Sequence, residues 1–224
     1  MSVTSATPIV ELTQVSKAYV SAAGVATVLR DVDLIVEAGE KVSLMGPSGS
    51  GKSTLLSLIA GLLRADAGAI EVDGVALNGL DDGELAQLRA RRVGIVRQSG
   101  NLIPFLTALE NVDLALGFAQ GGADGIGALD LLDRMGVAHR ANHVSRRLSG
   151  GEAQRVALSV AVANAPALLL ADEMVSALDS ASATAIVDRL FASEMAVLFV
   201  THDAALADRA DRRLRLHDHE VSAR

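Results

Sequence analysis

The sequence predicts an α/β fold: a sheet with parallel members, into which a block of helices is inserted. Three observations predict it. Short β-branched runs alternate with stretches of helical spacing in the first hundred residues and again after residue 166. A buried run, KVSLM at 41–45, passes through a glycine-rich loop straight into a helical stretch. Residues 105–163 carry helical spacing alone and lie between two strands.

Taken in order, IVELTQV at 9–15 and VATVLRDVDLIVE at 25–37 read as strands, with Ala38-Gly39-Glu40 as the turn before the strand at 41–45. Residues 52–62 place apolar side chains at 55, 56, 58, 59 and 62, which is helical spacing. AIEVDGVAL at 69–77 reads as a hairpin turning at Asp73-Gly74. A helix at 84–92 and the strand VGIV at 93–96 follow. The middle block holds helices at 106–118, 125–136 and 151–163, with a flexible gap at 121–125. The strand 167–171, a helix near 180–193, the strand 196–200, a short helix at 203–210 and a hairpin at 212–222 complete the chain, and residues 1–8 read as a frayed start.

Composition narrows the function. At 224 residues the chain is one domain, with room for a small subdomain. Half of it is hydrophobic and only 2% aromatic, so Ala, Val and Leu must fill the core. A net charge of −7 argues against a nucleic-acid coat, which needs a basic face. No Cys is present, so disulfides and thiolate metal sites are excluded. The most apolar stretch, 156–171, is interrupted by Ser159, Asn164 and Pro166 and falls short of a membrane span. With no secretory leader visible, the chain is expected to be soluble and cytoplasmic.

GPSGSGKS at 46–53 matches the phosphate-loop pattern G-x-x-x-x-G-K-[ST] and sits between a strand and a helix, as that chemistry requires. Gly46, Gly49 and Gly51 let the backbone curl so that its amides converge. Ser48, Ser50 and Thr54 flank them as further phosphate contacts. Lys52 supplies a positive charge to the β- and γ-phosphates, and Ser53 a hydroxyl to Mg²⁺. Downstream, ALLLADE places Asp172 and Glu173 at a strand's carboxyl end, where α/β sheets collect ligands. Asp172 would hold Mg²⁺, and Glu173 would polarise the water that attacks the γ-phosphate. LSGGEAQR at 148–155 is a second phosphate-binding design, with Ser149, Gly150 and Gly151 opening a helix. One nucleotide does not need two such loops from one chain; the second makes sense if it serves a nucleotide held by another copy.

On these residues the sequence resembles the ATP-binding subunits of ABC transporters. The phosphate loop, Gln98, LSGGE, ADE, SALD at 176–179 and His202 stand in that family's order and approximate spacing. The resemblance implies a P-loop ATPase core with a mixed sheet, an N-terminal antiparallel β subdomain and an inserted helical subdomain. It makes 1–224 a single ATP-binding domain, with 1–98 and 166–224 as the core and 99–165 as the helical part. It also implies that Tyr19 stacks on adenine, that Gln98 reaches Mg²⁺ and the attacking water, that His202 contacts the γ-phosphate and that Asp179 crosses a dimer interface. By position alone, Asp179 is equally a helix cap. The implied cofactors are ATP and Mg²⁺. The implied partners are a second copy, in an ATP-dependent head-to-tail dimer, and an integral membrane permease. Through that permease the chain would sit on the inner face of the cell membrane. No nucleic-acid partner is implied.

NLIPFLTALENV at 101–112 resembles the group that serves lipoprotein release, macrolide export, cell division and antimicrobial-peptide export. The expected function is therefore ATP hydrolysis that drives export or extraction. The alternative is an ATP-dependent module that gates an extracytoplasmic partner without moving a substrate. A chromosome ATPase would need a long coiled coil between Lys52 and Leu148, and no sustained heptads occur there. Three positions depart from the family pattern: Met174-Val175 where many relatives have Pro-Thr, Arg97 where many have an aromatic residue, and Asp218-His219 where Asp-Gly is usual. His139 and His143 lie in a basic, solvated stretch, and His217-Asp218-His219 reads as a hairpin turn rather than a metal site.

Overall fold

The computed structural model describes residues 8–21, 24–118 and 126–223. The expected gap at 121–125 lies outside them, as does the frayed start except for Pro8, which opens the first strand. The elements in chain order are β1 (Pro8–Ser21), β2 (Gly24–Glu37), β3 (Lys41–Met45), α1 (Lys52–Ile59), β4 (Ala67–Val72), β5 (Val75–Ala76), α2 (Asp82–Arg92) and β6 (Val93–Val96). Then come α3 (Ala108–Phe118), α4 (Ala128–Arg134), α5 (Gly150–Val162), β7 (Leu168–Asp172), α6 (Ser180–Phe191), β8 (Ala196–Val200), α7 (Ala204–Ala207), β9 (Arg212–His217) and β10 (Glu220–Ala223). The chain divides into two compact units, residues 1–86 with 196–224, and residues 87–195.

The first unit holds an antiparallel sheet in the order β2-β1-β4-β5. It also holds β3 between parallel β8 and β9, with β10 antiparallel at the edge. β3 and β8 are buried through Val42, Ser43, Leu44 and Val197 to Val200, as expected of strands covered on both faces. The first strand is longer than its hydrophobic pattern suggests. The ladder shifts register between Pro8 and Val10, Leu12 and Val15, Val15 and Lys17, and Lys17 and Ala18, yet pairing with β2 continues through Tyr19. Gln14 takes a left-handed conformation at the shift between Leu12 and Val15 (φ 48°). Alternation breaks where the shifts crowd together after Leu12, and period-2 reading therefore stops at Val15. At Asp73-Gly74 both φ values are positive (50° and 73°), which makes the β4–β5 turn type I′.

The second unit pairs β6 with β7 in parallel. Leu168, Leu169 and Leu170 of β7 are essentially inaccessible, as are Leu132 of α4 and Leu158 of α5. Burying each such leucine contributes about 1.5–3 kcal/mol. Gly94 is fixed by packing: a Cβ there would overlap the Ala161 carbonyl oxygen of α5. Helix starts follow capping chemistry. Thr107 Oγ1 accepts from the Glu110 amide (3.1 Å), and Glu110 Oε2 accepts from the Thr107 amide (2.7 Å), so α3 begins at Ala108 rather than 106. The same reciprocal pair between Asp81 and Glu84 starts α2 earlier than its apolar pattern does. Among the described residues no helix is long and apolar enough to cross a membrane.

Candidate functional site

In the first unit β3 and β8 run parallel and in register, with Leu44 beside Val200. The segments that follow them, the loop 46–53 and Thr201-His202, therefore leave neighbouring strands at their carboxyl ends. The loop is closely built. A Cβ on Gly46 would overlap the Leu216 carbonyl oxygen of β9. Gly51 has φ 105°, and a Cβ there would stand 2.6 Å from Val28 Cγ1 of β2. Gly51 offers α1 no side-chain cap, and the first turn is Lys52, Ser53 and Thr54, without an acid. The positive helix end thus meets no carboxylate of its own turn. Lys52 is buried, and its Nζ donates to the carbonyl oxygens of Gly46 (2.9 Å) and Pro47 (2.7 Å). Ser50 Oγ is buried without a hydrogen-bond partner among the described residues. Ser48, Gly49 and Ser53 face solvent. A cation, an open helix end and an orphaned hydroxyl on one loop fit a polyanionic ligand.

Tyr19 lies on β1, paired with Ala26, and not in the loop its polar neighbours suggest. Tyr19 is 42% exposed, and its hydroxyl comes within 3.5 Å of Thr54 Oγ1. Lys17 Nζ stands 5.9 Å from the ring centroid and is bonded to Asp66 Oδ1 at 2.7 Å. The Ala18 amide donates to the other oxygen of Asp66. Lys17 first, and then that amide, hold the Asp66 carboxyl below the usual carboxylate range. The structure thus brings a half-exposed aromatic ring to the end of the phosphate loop. His202 is exposed beside buried Thr201, whose Oγ1 accepts from the Asp203 amide at 3.0 Å.

In the second unit Val96 of β6 pairs with Ala171 of β7, which places Gln98 and the Asp172-Glu173 pair at the carboxyl ends of adjacent parallel strands. Gln98 is exposed in a loop closed by Asn101, which accepts from the Arg97 amide (2.7 Å) and donates to the Arg97 carbonyl (2.6 Å). Glu173 is left-handed (φ 58°), a conformation a long side chain adopts only where its surroundings impose it. Here Ser176 Oγ donates to the Glu173 carbonyl (3.1 Å), and Gln154 Nε2 of α5 donates to the Met174 carbonyl (2.9 Å).

Ser149 is the N-cap of α5. Its Oγ accepts from the Glu152 amide (3.3 Å), while Glu152 Oε2 accepts from the Ser149 amide (2.8 Å). That amide, followed by Arg140 at 2.7 Å, lowers the Glu152 pKa to about 2. Ser149 and Gly150 remain exposed. A Cβ on Gly151 would stand 3.0 Å from the Ala177 carbonyl oxygen, so the turn at 149–151 lies against the segment leading to Asp179. Asp179 caps α6, accepting from the Ser182 amide at 3.0 Å, and that bond lowers its pKa. His139 and His143 lie beside Arg140 and Glu152, with Nε2 of His143 3.3 Å from Arg140 and Nε2 of His139 3.8 Å from Glu152.

Two residues that hold these segments were not singled out from the sequence. Gln154 stands with Ala157 and Leu158 on the buried face of α5, and a polar residue at an apolar position is the signal that marks it. Asn111 is buried, accepts from the Ile103 amide (2.8 Å) and donates to Ser145 Oγ (2.9 Å), tying the stretch after Gln98 to the one before Ser149.

The model of the family described as ABC transporter matches residues 29–176. The lipoprotein-releasing system ATP-binding protein LolD of Ruegeria pomeroyi is 46% identical over 96% of this chain and 98% of its own. An uncharacterized ABC transporter ATP-binding protein of Methanocaldococcus jannaschii, MJ0796, is 41% identical over 95% of this chain and 94% of its own. A solved dimeric structure of the MJ0796 cassette, in a post-hydrolysis state bound to ADP and Pi, superposes with a TM-score of 0.89 at 40% identity, covering 95% of this chain and 96% of that one. With phosphate loop, strand-end acids and a glycine-opened helix on this fold, the chain belongs to the ABC transporter family, as one of its ATP-binding, ATP-hydrolysing cassettes.

Proposed function

We propose that this chain is the ATPase subunit of an export or extraction machine, and that two copies close head to tail around two ATP molecules to drive a membrane-embedded permease. In this reading Gly46, Ser48, Gly49, Ser50, Gly51, Lys52, Ser53 and Thr54 hold the phosphates of one nucleotide, and Tyr19 carries its base. Ser53, Gln98 and Asp172 hold Mg²⁺, which when bound neutralises phosphate charge. Glu173 accepts the proton of the attacking water, and His202 contacts the γ-phosphate. Ser149, Gly150, Gly151 and Asp179 face the nucleotide of the opposite copy. The whole chain is one domain, with 99–165 as its helical part, held at the inner face of the membrane by the permease. A dimeric relative and a lipoprotein-releasing relative support the assembly and the direction.

The observation that carries the reading is Lys52, buried against the carbonyls of its own loop at the open end of α1. Lys52→Ala removes the one cation the loop offers to phosphate. ATP affinity, measured by titration with a fluorescent analogue, should fall by about 10- to 100-fold, the range of a charge-assisted hydrogen bond. Unchanged affinity would reject the loop as the ATP site. Tyr19→Ala should weaken ATP and GTP alike, by about 1–3 kcal/mol, because stacking reads only a π-face. Tyr19→Phe should bind like the parent in the same titration. Equal ATP affinity in the alanine variant would leave Tyr19 a purely structural part of β1.

A further inference from the structure

The last hairpin turns through Asp218-His219 with both φ values positive (50° and 73°), the type I′ geometry that favours Asn, Asp and Gly. Histidine at the second position crowds its Cβ against the backbone. Yet His219 is half-buried, and its Nδ1 lies 3.3 Å from the Val28 carbonyl oxygen of β2. Its own carbonyl accepts from the Arg30 amide at 2.9 Å. A carbonyl oxygen only accepts, so Nδ1 carries the proton in this contact.

Val28 is not an ordinary strand residue. In the β1–β2 ladder Lys17 faces Leu29 and Ala18 faces Thr27, which leaves Val28 as the extra residue of a bulge. The bulge presses on the phosphate loop. A Cβ built on Gly51 would stand 2.6 Å from Val28 Cγ1 and 3.1 Å from the same carbonyl oxygen that His219 reaches. Leu216, on the strand that leads into the turn, puts its carbonyl oxygen against Gly46 and its Cδ2 3.5 Å from that Gly51 position. Beyond the bulge, β1 and β2 run on as the arm that carries Tyr19.

We infer that His219 is a positioning residue for nucleotide binding: by tying the last hairpin to the bulge at Val28, it fixes the wall on which Gly51 is seated and the angle of the arm that carries Tyr19. The inference rests on the reading of loop 46–53 as the ATP site. His219 touches no phosphate itself; it acts through Val28. Its effect therefore falls on how readily ATP is bound and not on the rate once ATP is bound.

Two variants of the full chain test this. His219→Gly relieves the left-handed conformation and removes the side-chain bond to Val28, leaving the backbone bond from Arg30 in place. His219→Asn keeps a donor, since Asn Nδ2 sits the same number of bonds from Cα as the ring Nδ1, and Asn tolerates positive φ. The glycine variant should melt no lower than the parent. Its Kd for a fluorescent ATP analogue and its KM for ATP should each rise about three- to tenfold, with kcat at saturating ATP unchanged. The asparagine variant should stay within about twofold of the parent in both constants. A purely structural role predicts the same stability for the glycine variant but undiminished affinity. Parental affinity in His219→Gly, or an asparagine variant as weak as the glycine one, would overturn the inference. If the parent itself binds no ATP, the reading of the loop fails instead, and the two failures are thereby told apart.

Discussion

Glu173→Gln should bind ATP as the parent does and lose at least about 10²-fold in turnover, close to 2.7 kcal/mol of barrier. The change keeps the size and shape of the side chain and removes its capacity to take a proton. The backbone that presents it should persist, because its supports are independent of the carboxylate. Ser176 holds the Glu173 carbonyl, and Gln154 holds the Met174 carbonyl. The left-handed φ of 58° is imposed by that turn. Met174, the residue that follows, is only 1% exposed and anchors the turn in the core. Phosphate release measured at saturating ATP checks the prediction, and parental turnover in the purified variant would remove Glu173 from the chemistry.

Ser149→Arg should abolish both dimer formation and hydrolysis while sparing ATP binding by the single chain. Ser149 is exposed, and among the described residues its side chain is bonded to the Glu152 amide of its own helix turn. Losing the cap costs about 1 kcal/mol, which α5 withstands through its buried face of Val156, Ala157 and Leu158. A guanidinium at the mouth of that helix instead adds bulk where the opposite copy's nucleotide would have to approach. Equilibrium ATP titration and steady-state turnover, with a melting curve to verify folding, separate the two effects. A folded variant that still hydrolyses at the parental rate would contradict a site shared between copies.

The parallel strands of the fold and the loop between β3 and α1 were legible because local pattern and local chemistry coincide there. KVSLM is buried on both faces, and its loop carries its own glycines and cation. The second half of β1 was not legible, since three register shifts between Leu12 and Ala18 break the alternation that period-2 reading depends on. Tyr19 consequently looked like a loop residue and proves to be a strand residue held near Thr54. Helix starts were misplaced by two residues where a Thr107–Glu110 or Asp81–Glu84 pair, rather than the apolar stripe, sets the boundary. Gln154 escaped notice, and His219 read only as a departure from Asp-Gly in the last turn, for a deeper reason. Each acts through a backbone carbonyl distant in sequence, Met174 and Val28 respectively, and a carbonyl has no identity for a sequence to display.

The central claim is that the glycine-opened turn at 149–151 serves a nucleotide held on Lys52 of another copy. Sedimentation velocity of Glu173→Gln protein tests it most directly, run without nucleotide and then with saturating ATP and no Mg²⁺, so that hydrolysis cannot disperse the closed form. The account predicts a monomer in the first run and a dimer in the second, with closure lost in the Glu173→Gln, Ser149→Arg double variant. A protein that remains monomeric with ATP at high concentration, while Ser149→Arg alone hydrolyses normally, would contradict it.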